Sequence, residues 1–107
     1  MAVALKNKTV APSAATLTTL YTCPSATTAV VAMLTVCNRS ATATTYRIAT
    51  RPLGAAISDS YYHCYDITID GNSTDTYSGL CFIATDVLSV YATLATVSFN
   101  VSLQENS

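Results

Sequence analysis

The stretch "TVSFNVSL", Thr96–Leu103, sets Val97, Phe99, Val101 and Leu103 against Thr96, Ser98, Asn100 and Ser102 in strict alternation. A period of two belongs to a β-strand with one buried and one solvated face. The same pattern recurs upstream. "TTYRIATR", Thr44–Arg51, turns Tyr46 and Ile48 inward and Arg47 and Arg51 outward. "YYHCYDITI" divides into Tyr61, His63, Tyr65, Ile67 and Ile69 on one face and Tyr62, Cys64, Asp66 and Thr68 on the other, without deciding which is inner. Thr28–Cys37 is apolar on both faces, as a central strand covered on two sides would be.

Turn chemistry or small residues separate these runs at Pro24-Ser25, Asn38–Ala43, Pro52-Leu53-Gly54, Asp70-Gly71-Asn72, Thr85-Asp86 and Thr93–Thr96. Strands are therefore predicted over Thr16–Thr22, Thr28–Asn38, Thr44–Arg51, Tyr61–Ile69, Thr74–Ile83, Asp86–Thr93 and Thr96–Leu103, with a short one near Thr9–Ala11. For "SAATLTTLY" a helix capped by Ser13 competes, but Thr18, Thr19 and Tyr21 favour a strand. The expected fold is an all-β antiparallel sandwich of seven to eight strands, jelly-roll or immunoglobulin-like. Its expected organisation is an N-terminal arm over residues 1–15, a sandwich over 16–103 and a C-terminal tail over 104–107.

At 107 residues the chain has the length of one domain. Charged residues make up only 10% of it, against about 25% in an average soluble domain, and Thr, Ser and Ala fill the difference. A net charge of -1 supplies no electrostatic footprint for nucleic acid or an anionic bilayer. So little charge leaves a free monomer prone to self-association, and much of the surface is expected to be buried against other chains. The N-terminal segment carries Lys6 and Lys8 and lacks the apolar core of a secretory signal, so it reads as the start of a cytosolic product. The longest apolar run, Ala29–Leu34, is too short to cross a bilayer.

"LYTCPSATTAVVAMLTVCNR", Leu20–Arg39, reads as a Pro-punctuated hairpin carrying Cys23 and Cys37; Cys64 and Cys81 complete the set. No C-x-x-C pair occurs and His63 is the single histidine, so no metal site is expected. Four cysteines allow two disulfides, a Cys23–Cys37 bridge among them. A reducing site of synthesis favours small buried thiols instead.

His63 and Cys64 are neighbours in a strand and point to opposite faces, and Gly54, Gly71 and Gly79 form no phosphate loop. The expectation is a protein that is not an enzyme and needs no cofactor. "DITIDGNSTD" holds the oxygen ligands Asp70, Asn72, Thr74 and Asp75 but lacks EF-hand spacing, so a turn explains it. Tyr61, Tyr62, Tyr65, Tyr77 and Tyr91 fit either a sugar platform or core and subunit-interface roles; without Trp, the interface is favoured. Sequons at Asn7, Asn38, Asn72 and Asn100 are of the number that a Ser/Thr-rich chain yields by chance. Thr-x-Thr pairs at Thr16, Thr42 and Thr74 lack the fixed period of a solenoid.

Three segments, "TTLYTCPSATTAVVAMLTVCNRSATATTYRIATRP", "YYHCYDITI" and "DVLSVYATLATVSFNV", cover well over half of the chain. Leu20-Tyr21-Thr22 before Pro24, Cys37-Asn38-Arg39 closing an apolar strand, Ser89-Val90-Tyr91, and Ser98-Phe99-Asn100 together resemble small virion proteins of tailed bacteriophages. Cys23, Cys64 and Cys81 depart from that pattern, which leaves disulfides formed after assembly open. The resemblance implies a non-enzymatic β-sandwich of the particle, made in the host cytoplasm and residing in the virion. Capsid decoration or cementing is the first station, followed by a tail, collar or fibre component. The alternative from a second class is a receptor- or glycan-binding module that uses the tyrosines. The implied partners are copies of itself, such as a trimer, and other virion proteins, with no nucleic acid and no membrane. An N-terminal arm reaching onto a neighbour belongs to the same expectation.

Overall fold

The computed structural model describes residues 2–107. Nine strands form within them: β1 (Val3–Val10), β2 (Thr18–Thr22), β3 (Thr28–Asn38), β4 (Thr44–Arg51), β5 (Tyr62–Ile69), β6 (Thr74–Tyr77), β7 (Cys81–Phe82), β8 (Val87–Ala92) and β9 (Val97–Asn106). They build two antiparallel sheets. Sheet A has the order β1-β9-β3-β6, with β7 also on β3, and sheet B has the order β2-β8-β4-β5. Most connections cross from one sheet to the other. The chain is thus the all-β sandwich that its alternation predicts. Among the described residues no helix is long and apolar enough to cross a membrane.

Alternation decides the core. Val97, Phe99, Val101 and Leu103 of β9 and Val31, Leu34 and Val36 of β3 face Tyr46 and Ile48 of β4 and Leu88 and Val90 of β8, all buried. Tyr46 lies edge-on to Phe99 and to Tyr77, with ring centroids 6.2 and 6.4 Å away. Its hydroxyl donates to Asp75 Oδ2 at 2.7 Å and also bonds the Tyr77 hydroxyl. At the opposite side Tyr21 donates to Glu105 Oε2 at 2.5 Å and packs against Phe82. Each buried phenol therefore has a polar partner, as a buried hydroxyl requires.

Buried polar side chains tie the loops at each end. Asn38 donates through Nδ2 to Thr42 O and Asp70 O, and its Oδ1 accepts from the Ser40 amide and the Thr96 hydroxyl. One side chain thereby fastens the β3–β4, β5–β6 and β8–β9 connections. Gly71 sits against the same junction, where a Cβ would meet the Ala41 carbonyl oxygen at 2.1 Å. At the other end Asp86 accepts from the Leu53 and Ile83 amides, each at 3.0 Å. Thr85 beside it has φ 67°, a conformation that a β-branched residue adopts under strain. Thr85→Gly is expected to raise stability by about 1 kcal/mol, read as a higher urea midpoint at unchanged m.

Several expectations change. The segment read as a free arm contains β1, paired with β9 from Val3–Asn106 to Val10–Phe99; Met1, the first residue of that arm, lies outside the described residues. Likewise the tail joins β9, which runs to Asn106. Backbone pairing accounts for both, since an extended segment beside an open edge satisfies its amides there. Leu20–Arg39 is not a hairpin: β2 belongs to sheet B and β3 to sheet A, so Pro24-Ser25 turns a corner between sheets. The predicted strand Thr74–Ile83 breaks into β6 and β7 at Gly79 (φ 81°), opposite the bulge between Val31 and Met33 of β3.

The largest difference concerns β3. Its inner residues Ala29, Val31, Leu34 and Val36 are buried, but Val30 and Met33 remain 45% and 50% exposed. Only one of its two apolar faces is covered within this chain.

Candidate functional site

Two outer sheet faces remain, and they differ in character. Directly paired residues in an antiparallel sheet share a face. The register therefore puts Val3, Leu5, Asn7 and Thr9 of β1, Ser98, Asn100, Ser102, Gln104 and Asn106 of β9, and Val30, Met33, Thr35 and Cys37 of β3 on the outer face of sheet A. Thr74 and Thr76 of β6 and Cys81 of β7 extend it. No residue of this face is charged. Its relief is shallow, with a depression of about 290 Å³ beside the β3 bulge, bordered by Leu5, Asn7, Ala32, Ser102 and Gln104 and reached by Lys6 and Leu103. Lys6 and Lys8 pair with Leu103 and Val101, so they stand on the inner side of β1, at the open edge. Lysines pointing inward from an edge strand discourage edge-to-edge growth.

Sheet B is covered in part by its own chain. Residues 52–61, which include short 3-10 turns at Pro52–Gly54 and Asp59–Tyr61, fold back onto β4 and β8. Arg51 holds them, donating to Ser89 Oγ and to the carbonyls of Gly54 and Ala55. Beside this cover, Arg47 of β4 lies between the rings of Tyr65 and Tyr91, 4.2 and 4.3 Å from their centroids. It also donates to both carboxylate oxygens of Asp66, at 2.7 and 3.3 Å. Asp66 reaches Arg47 because of a bulge: Tyr46 pairs with Ile67 but Ile48 with Cys64, and Asp66 takes φ 52°. Tyr62 meets Tyr65 edge-on at 4.9 Å. Asp59, Tyr62, His63 and Tyr65 line a depression of about 450 Å³ next to this stack.

Of the five tyrosines singled out in the sequence, Tyr62, Tyr65 and Tyr91 thus meet around Arg47. Tyr61 closes the preceding turn, its amide bonded to Ser58 O. Tyr77 lies elsewhere, with Tyr46 and Asp75. Arg47, Asp59 and Asp66 were not singled out. Arg47 alone had a signal, as an outward charge in an alternating strand, whereas Asp66 reaches it only through the bulge.

The four cysteines carry free thiols: Cys23 and Cys64 buried, Cys37 half-buried and Cys81 exposed. Cys37 and the partner of Cys81, Val30, are seven residues apart on β3, roughly 23 Å at strand rise, far beyond disulfide reach. Cys23 precedes β3 and Cys37 lies near its far end, so these two cannot bridge either. Burial raises the Cys23 pKa, and its thiol donates to Thr27 O. Asn38, one of the four sequons, is buried with its amide engaged; Asn7, Asn72 and Asn100 are exposed. Asp75 of the calcium-like segment accepts from Tyr46. Among the described residues, no three His, Cys, Asp or Glu side chains gather as metal ligands would. His63 Nε2 bonds Thr50 Oγ1 at 2.7 Å.

No protein-family model, curated protein or solved structure matches this chain.

Proposed function

We propose that this protein is a non-enzymatic structural subunit that works by packing many copies against a larger assembly. The observation that carries the reading is the uncharged outer face of sheet A, where Val30, Ala32 and Met33 of the central strand stand uncovered amid Thr, Ser, Asn and Gln. An apolar strand uncovered at the middle of a sheet is a surface suited to another protein. Four strands about 4.8 Å apart and about eight residues long give roughly 500 Å² per copy. Two such faces bury about 1,000 Å², near the lower bound of a specific interface. Repetition over a lattice then adds avidity to contacts that are individually weak.

The resemblance of Leu20–Thr22, Cys37–Arg39, Ser89–Tyr91 and Ser98–Asn100 to small virion proteins points to a tailed-phage particle as the assembly. With β6 and β7 taken as one interrupted strand, the two orders β1-β9-β3-β6/β7 and β2-β8-β4-β5 support a jelly-roll reading of the sandwich, an architecture that recurs in viral capsid proteins. That likeness is one of fold alone. Capsid decoration is the first station and a tail, collar or fibre position the second. Locating the chain in an electron-microscopy map of the particle tests this: the reading expects density for many copies with the sheet A face against a neighbouring chain. A chain that never co-purifies with particles overturns it.

A further inference from the structure

We propose that the depression lined by Asp59, Tyr62, His63 and Tyr65 binds a neutral saccharide, a pyranose ring lying against the tyrosine wall with its hydroxyls on the flanking polar groups. Its volume, about 450 Å³, lies within the range of ordinary ligand sites. The inference stands apart from the packing role, which uses the opposite sheet.

Rigidity is the first argument. Tyr65 is 54% exposed, yet it is held by the Arg47 guanidinium at 4.2 Å and by Tyr62 at 4.9 Å. Arg47 is itself fixed by Asp66 and Tyr91. A surface ion pair of this kind contributes little stability, about 0–1 kcal/mol, so its main effect is to position the ring. An aromatic wall fixed before binding loses little entropy when a ligand arrives.

Charge and hydrogen bonding select the ligand class. Asp66 neutralises Arg47, so the carboxylate of Asp59 is the remaining formal charge on the lining, and an anion is disfavoured. An apolar ligand would desolvate that carboxylate without giving it a donor. A cation on the Tyr65 ring would be opposed by the like charge of the Arg47 guanidinium held against that ring. A neutral sugar meets both demands: its C–H face packs on the phenol rings, and its hydroxyls donate to Asp59 and exchange hydrogen bonds with His63 and the tyrosine hydroxyls.

The test is titration of the ¹⁵N-labelled full chain with methyl glucoside, galactoside, mannoside and N-acetylglucosaminide, with choline and inorganic phosphate as separate arms. Expected are amide shifts confined to Asp59–Asp66 with at least one pyranoside, saturating at millimolar concentration. Tyr65→Ala and Asp59→Asn should each weaken that binding about tenfold or more, the size of one lost stack or charge-assisted hydrogen bond. Asp59→Asn keeps the side-chain shape and should leave the unfolding midpoint unchanged, which separates loss of the site from loss of the fold. Absence of shifts with all four pyranosides, a response to choline or phosphate in their place, or full affinity in Asp59→Asn would overturn the proposal.

Discussion

Tyr46→Ala is expected to cost about 3–5 kcal/mol, the range for truncating a large buried aromatic side chain. Tyr46 is fully buried, its ring is edge-on to Phe99 and Tyr77, and its hydroxyl joins the Asp75 carboxylate and Tyr77 from beneath β6. Two losses combine in the alanine variant: a cavity at the centre of the sandwich and the hydroxyl's bonds to half-buried Asp75 and Tyr77. Tyr46→Phe removes only the hydroxyl and is expected to cost about 1–3 kcal/mol, the range for losing a hydrogen bond to a charged group. Against a total stability of about 5–15 kcal/mol, the alanine variant lies close to the folding limit. Urea unfolding at unchanged m measures both costs. A loss below about 1 kcal/mol for Tyr46→Ala would mean that the two sheets do not meet at this ring.

Alkaline pH attacks the same groups. Burial, and then the bond to Glu105, raises the pKa of Tyr21; burial, and then the bonds to Tyr77 and Asp75, raises that of Tyr46. An unfolded phenol ionises near pH 10, whereas these two stay protonated in the fold well above it. Above pH 10 the unfolded state therefore binds fewer protons than the native one, and stability falls as pH rises. Each phenol that stays protonated in the fold contributes a slope approaching about 1.4 kcal/mol per pH unit above pH 10. Below pH 10 neither contributes a slope. Circular dichroism melts across this range, with tyrosinate absorbance near 295 nm followed in parallel, should show the last tyrosines ionising together with unfolding. Ionisation of all seven tyrosines with the fold intact at pH 11 would contradict the burial of both rings.

Elements were legible in this sequence because a period of two reports a strand wherever one side is dry. Thr28–Asn38 and Thr44–Arg51 coincide with β3 and β4 to the residue. Strand β1 was missed beyond its last residues because its side chains are almost all exposed, and a strand held mainly by backbone pairing leaves little hydrophobic pattern. In "YYHCYDITI" the two buried residues, Cys64 and Ile69, belong to opposite alternation sets. The bulge at Asp66 shifts the phase between them, and no unbroken alternation can describe both halves. The Arg47–Tyr65–Tyr91 stack depends on that same bulge and on the pairing of β4 with β8, both long-range facts. The double apolar character of β3 led to an expectation of cover on both faces, and the structure meets it on one face only. The proposed subunit packing would supply the other.

That second cover is the central claim, and sedimentation velocity of the wild-type chain beside the double variant Met33→Glu/Ser102→Glu tests it most directly. Met33 and Ser102 are cross-strand partners on the outer face of sheet A, so two glutamates put charge at its middle without touching the core. The account predicts that the wild-type chain associates at micromolar to millimolar concentration while the variant sediments as a monomer with the same circular dichroism spectrum. A wild-type chain that stays monomeric throughout, or a variant that associates just as strongly, would contradict it.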